Sequence, residues 1–357
     1  MAEPELTKLA YKTLQFSKSL AGLAHKSLST KIMEILAPSA VPNLQPISRE
    51  LLFELRKSIN HLEDSDWQDA EDGIYPKAQL FEAPWLDWAG NYPLVWLDLP
   101  STWERRKGNK IHDLPNEIDK AKFPDYYLQN FHHQTDGYLS NHSANLYDLQ
   151  VEILFNGTAD AMRRRILAPL KKGLKSFNSR KRSSIKLLDV ATGTGRTLQQ
   201  IARAEPGIEL IGVDLSLAYL RKANRSLNTH NNRLVQLIRG NAEQLPFETA
   251  SIQGVTCVYL LHELPLNIRE KVLKECWRVL EPGGVFVIAD SVQLDDSPKF
   301  KLVLDNFYKV FHEPFYRDYI NDDIDSKLLK SGFENIEAES FFMTRVWSCN
   351  KPFNQES

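Results

Sequence analysis

Beyond residue 183 the chain alternates short apolar runs with amphipathic stretches. The runs are IKLLDVA (185–191), ELIGVDL (209–215), RLVQLIRG (233–240), IQGVTCVYLL (252–261) and GVFVIADS (284–291). Parallel strands covered on both faces read as near-continuous apolar runs of this length. Between them, the spacing of apolar positions predicts helices over 197–204, 218–229 and 268–280. The last stops at Glu281-Pro282-Gly283-Gly284, where proline and glycines end a helix. Strands alternating with helices predict an α/β, doubly wound sheet. The remainder reads as a helix over 324–331 and two short strands around 336–339 and 342–348.

The first part of the chain has another rhythm. Helical spacing, as at Leu6, Leu9, Ala10 and Leu14 and over 48–58, alternates with proline- and tryptophan-rich segments. This predicts a mostly helical extension over 1–124, then a connector at 125–182, then the sheet domain at 183–357. Trp67, Trp85, Trp88, Trp96 and Trp103 fall within the extension. They suit a core, or the wall of a pocket for a flat or lipidic molecule.

Composition narrows the class. A formal net charge of −2, with 42% apolar and 25% charged residues, is that of a globular protein with no general affinity for nucleic acid. Cys257, Cys276 and Cys349 are scattered and odd in number, which suits a reducing cytoplasm rather than a disulfide framework. Lysines and hydroxyl residues in the first 35 positions have the flavour of a transit peptide. Glu3, Glu5 and the lack of arginine there favour a helix of the folded protein. Arg163-Arg164-Arg165, Lys171-Lys172, Lys175 and Arg180-Lys181-Arg182 form a basic block without acids. It reads as a solvated helix face, with peripheral contact to anionic lipid as the sharper alternative.

The chemistry concentrates in LLDVATGTGRT (187–197). A buried strand runs into Gly193 and Gly195, and a helix N-terminus with unpaired N–H groups follows, an arrangement that receives nucleotide-like ligands. The third small residue of a dinucleotide-binding turn is replaced by Leu198, which weakens an NAD reading. About twenty residues on, Asp214 ends the second strand, where a carboxylate can accept both ribose hydroxyls. Asn241, after the third strand, offers an amide to an adenine edge.

LLDVATGTGRT, IGVDLS, RGNAEQLPF, VYLLHELP and LEPGGVFVIAD, in this order and spacing, resemble the class I S-adenosylmethionine-dependent methyltransferases, with the flavour of the quinone-biosynthesis branch. The resemblance covers roughly residues 126–350. It implies a seven-stranded Rossmann-like sheet whose last strand is antiparallel. It also implies S-adenosyl-L-methionine as cofactor, with Asp189, Ala191, Thr192, Gly193 and Gly195 at its methionine end. Asp214 and Leu215 would serve the ribose, Asn241, Ala242 and Glu243 the adenine, and Tyr127 and Tyr259 the slot itself. The alternatives are a catalytically inactive binding protein of this fold and an NAD-linked oxidoreductase. The residues leave open whether oxygen, nitrogen or carbon is methylated.

In this family the segment before the first strand folds over cofactor and acceptor. Here that segment contains FHHQTDGYLSNHSANLYD (131–148). His133, His142 and, after the fourth strand, His262 are candidates for general base, since an imidazole suits proton removal near neutrality. Tyr126, His132, Tyr138 and Tyr147 are candidates to bind a small aromatic, quinone-like or lipophilic acceptor. No metal is expected, because adjacent His132 and His133 point apart and the gap to His142 matches no ligand spacing.

Overall fold

The computed structural model describes residues 3–228 and 235–353. Its helices are α1 (Glu3–Leu36), α2 (Arg49–Glu71), α3 (Trp85–Gly108), α4 (Asn141–Leu154), α5 (Ala159–Arg164), α6 (Leu167–Leu174), α7 (Arg196–Ala204), α8 (Leu217–Asn228), α9 (Leu266–Val279), α10 (Lys301–Val310), α11 (Tyr316–Tyr319) and α12 (Ile324–Lys330). The strands are β1 (Lys186–Val190), β2 (Glu209–Asp214), β3 (Val235–Arg239), β4 (Ile252–Val258), β5 (Leu280–Ser291), β6 (Glu334–Phe341) and β7 (Thr344–Asn350). They form one seven-stranded sheet in the order β3-β2-β1-β4-β5-β7-β6. β7 alone runs antiparallel to its neighbours β5 and β6.

Residues along β1 and β4 are buried almost throughout, as their apolar runs require of central strands. The chain order reverses between β1 and β4, so their carboxyl ends open onto the crevice where such sheets receive ligands. One apolar cluster continues from Leu187 and Val287 on the sheet through Leu167 and Leu170 to Tyr11, Leu62 and Trp67 of the N-terminal helices. A second lies on the opposite face, built on Leu188, Val255, Val272 and Trp347.

Several sequence expectations change. Arg163, Arg164 and Arg165 do not form a solvated face: all three are buried and paired with Asp160, Asp66 or Asp69. Asp66 and Asp69, distant in sequence, draw Arg164 and Arg165 inward, and Asp160, three residues before Arg163, holds that group, so they present no charge to a lipid surface. The leucine stripe of α1 also points the other way. Leu6 and Leu9 are half exposed, whereas Tyr11, Gln15 and Ser19 are buried. Tyr11 Oη donates to Asp66 and Lys18 pairs with Glu152, so polar contacts choose the buried face. β5 starts at Leu280 rather than 284, because a register shift between the Ile252 and Gly254 pairings absorbs Pro282 and Gly283. The helices α10 and α11 had no separate expectation. Residue 229 of the helix predicted over 218–229 and residues 233–234 of the third apolar run lie outside the described residues.

Asp66 joins the N-terminal helices to the rest. It accepts hydrogen bonds from Tyr11, Tyr75, Arg164 and Arg165. Burial alone would raise its pKa, but the two guanidinium groups outweigh that and hold it at about 2. Trp67, Trp88 and Trp103 are buried in the helical part, and Trp85 is half exposed.

Candidate active site

At the carboxyl ends of β1, β2 and β4 the structure holds a cavity floored by Ala191, Thr192, Gly193, Asp214 and Leu215. Asn241, Ala242 and Tyr259 continue its wall, and Tyr126, Tyr127, Tyr138 and Tyr147 roof it. The chain reaches this geometry through backbone positions uncommon for side-chain-bearing residues. Ala191 (φ 57°) and Tyr259 (φ 58°) are both left-handed, at the ends of β1 and β4. Such strain, held by its surroundings, concentrates at ligand sites.

The two glycines of the turn have different tasks. A Cβ on Gly193 would meet nothing nearer than a Tyr219 ring atom at 4.0 Å, so its bare face opens on the cavity. Gly195 (φ +80°) does not line the cavity; a Cβ there would press on Ala223 at 3.0 Å. It starts α7 and lets that helix approach α8.

Asp214 is the electrostatic centre of the floor. Its carboxylate accepts from Gly193 N–H and Ser216 N–H, both at 2.8 Å. Burial nevertheless pushes its pKa up to about 6. Asp189 lies behind the turn, outside the cavity lining; Thr256 donates to it at 2.6 Å and burial raises it to about 6. Glu243 also stands back from the cavity, accepting from Tyr126 Oη at 2.8 Å and from the Asn241 amide.

The roof is a nest of phenol rings. Tyr138 packs edge-on against Tyr219 with centroids 5.5 Å apart and against Tyr147 at 6.0 Å, and Phe131 stacks on it from behind. Ser216 Oγ donates to the Tyr138 carbonyl at 2.6 Å, and Ser143 and Tyr219 hydroxyls meet at 2.8 Å. These bonds tie the segment before β1 to the first turn of α8. Burial pushes the Tyr138 and Tyr147 phenols up, so they remain neutral.

The histidines fall elsewhere. His133 lies outside the cavity against His312, and burial, then Arg106, lowers its pKa to about 3. His142 is exposed at the start of α4, 3.6 Å from Asp98. His262 is buried behind the wall with Nδ1 2.6 Å from Asp290, and that carboxylate outweighs burial to raise it to about 9. None of the three lines the cavity, and neither does His132. Glu263, next to His262, does, as do Arg163, Thr194 and Tyr219.

Arg163 and Tyr219 carry no site role in the sequence expectations. Arg163 was absorbed into the basic block, although Asp160 three residues before it offered a partner at helical spacing; the two are 3.1 Å apart. Tyr219 stood five residues after Asp214, one turn into α8, where a side chain returns to the sheet edge.

Comparison with known proteins gives this geometry its family. A methyltransferase-domain model matches residues 187–284. A demethylmenaquinone methyltransferase of Staphylococcus saprophyticus is 31% identical over 190 residues, 48% of this chain and 78% of that protein. A carboxy-S-adenosyl-L-methionine synthase of Trichodesmium erythraeum is 30% identical over 168 residues. That match covers 45% of this chain and 63% of the synthase. Among solved structures, an S-adenosylmethionine-dependent methyltransferase from Aquifex aeolicus is 18% identical with a TM-score of 0.38. It covers 53% of this chain and 92% of that one, an overlay too loose to bear on function. Sheet order, motif series and relatives agree: the chain belongs to the class I S-adenosylmethionine-dependent methyltransferases, whose cofactor is S-adenosylmethionine.

Proposed function

We propose that this protein transfers the methyl group of S-adenosylmethionine to a small acceptor with a flat, aromatic or quinone-like ring. One observation carries the reading. The open face of Gly193, its N–H on the Asp214 carboxylate, lies in the same cavity as a roof of four tyrosines. The residues present fit the cofactor: a cradle without a Cβ, a buried carboxylate for paired hydroxyls, and an amide at Asn241 for a base edge. When bound, the cofactor supplies an electrophilic methyl group on a sulfonium.

The chain's own residues then do three things. Asp214, Asn241 and the Ala191–Gly193 turn bind, with Asp189 holding the turn from behind. Tyr126, Tyr127, Tyr138 and Tyr147 exclude water and align a ring over the cofactor slot. Glu263 sets a carboxylate in the cavity wall beside the acceptor. The quinone-like choice draws on the demethylmenaquinone methyltransferases among the relatives and on the phenol-lined roof. A helical extension (1–124), a lid (125–182) and a cofactor-binding part (183–357) are the division of labour within this reading.

Calorimetric titration with S-adenosylmethionine, S-adenosylhomocysteine and NAD tests it. Micromolar binding of the first two without NAD is the expected result. Binding of NAD alone would overturn it.

A further inference from the structure

His132, Glu263 and Glu313 come together from three separate segments, their nearest ligand atoms all within 4.8 Å of one another. The backbone works to bring them there. His132 (φ 56°) and His133 (φ 59°) are two successive left-handed residues, a strained arrangement that sends the two imidazoles to different neighbours. The His132 N–H donates to the His312 carbonyl at 3.0 Å, which docks the segment carrying Glu313 onto the histidine turn. Glu263 follows β4 and lines the cavity. It is steadied by a hydrogen bond from Tyr138.

Each ring nitrogen of His132 faces a carboxylate, Nε2 lying 3.6 Å from Glu263 Oε1. His132 Nδ1 and Glu313 Oε1 are 2.8 Å apart. Yet neither atom, nor Glu313 Oε2, has a hydrogen-bond partner in alignment. The Glu313 side chain is wholly buried, where a carboxylate normally collects several donors. Donor and acceptor face each other along the N–H direction. Two ligands of one ion instead converge on a point between them, and atoms each about 2.1 Å from an ion at right angles lie about 3 Å apart.

We infer that His132, Glu263 and Glu313 form a binding site for one divalent first-row ion at the acceptor wall of the cavity. One imidazole and two carboxylates suit Mn²⁺ or Zn²⁺ rather than Ca²⁺, and three protein ligands leave further positions open. His262 Nε2, 3.9 Å from Glu263 Oε1, and Asp290 behind it act on Glu263 from outside the ligand set. Phe311 covers the His132 ring edge-on.

The test uses full-length protein stripped of metal and titrated separately with Mn²⁺ and Zn²⁺. Bound ion is read by calorimetry and, for Mn²⁺, by electron paramagnetic resonance. S-adenosylhomocysteine is titrated in parallel. One equivalent should bind, and Glu313→Gln and His132→Ala should each weaken it at least tenfold. Retained S-adenosylhomocysteine binding by Glu313→Gln shows that this variant is folded should His132→Ala not be. No uptake by wild-type protein, or equal uptake by both folded variants, overturns the site. Metal uptake without cofactor binding would leave the ion site standing and remove the transferase reading; cofactor binding without metal would do the reverse.

Discussion

Asp214 shows how one side chain couples folding and function. Burial raises its pKa to about 6, above the value near 4 of an unfolded aspartate. The empty folded protein therefore keeps a proton that the unfolded chain releases between those values. Ionising Asp214 opposes folding as pH rises through that window, and the penalty is constant above it. In the proposed site Asp214 accepts the ribose hydroxyls as a carboxylate, so on that reading affinity should move the opposite way. We expect S-adenosylhomocysteine to bind about tenfold more weakly at pH 5 than at pH 7, read by calorimetry, and Asp214→Asn to lose the Asp214 part of that step. Ala191 gives a second expectation at this scale. Its left-handed backbone favours glycine, so Ala191→Gly should stabilise the protein by up to about 1 kcal/mol, seen as a slightly higher melting temperature. A lower one would mean that the methyl group's packing outweighs the strain.

At the scale of elements, the attachment of α2 to the arginines at and just beyond the end of α5 is an ion network. Asp66 is fully buried with Arg164 and Arg165, and a buried pair broken from one side leaves an uncompensated charge. Asp66→Ala should cost about 3–5 kcal/mol in denaturant unfolding. Its depressed pKa, about 2, contributes stability above the unfolded value that is lost only as pH falls towards 2. The sheet, by contrast, was legible in advance. Its buried strands are apolar runs, and five were placed to within a few residues. The extra helices α10 and α11 and the early start of β5 were not: β5 depends on a register shift, α11 on packing against His262 and α10 on packing of Phe307 against Tyr316.

For the whole molecule, the roof over the cavity is the segment 125–148 held by side-chain bonds to α8 and to Glu263. If it closes on ligand, amide hydrogen exchange across 126–148 should slow when S-adenosylhomocysteine is added, more than across α12, which is remote from the cavity. Uniform change, or none, would mean a fixed wall. The N-terminal helices share a continuous apolar core with the sheet, so the extension is bound to the catalytic scaffold through packing as well as charge.

Local pattern was enough to determine the alternating strands and helices, the glycine turn, Asp214 at its strand end and the family they indicate. Each depends on residues close together in sequence: apolar periodicity, a glycine that frees the backbone, a carboxylate at a predicted edge. The direction in which side chains face across the molecule came only with the tertiary structure. Three adjacent arginines read as a solvated face, yet Asp66 and Asp69, far off in sequence, bury two of them. The histidines of 131–148 read as a group until two left-handed residues sent His132 towards Glu263 and Glu313 and His133 towards His312. Partners about a hundred residues away or more, Asp66 for Arg164 and Arg165 and Glu263 and Glu313 for His132, decide such outcomes, and no local spacing records them.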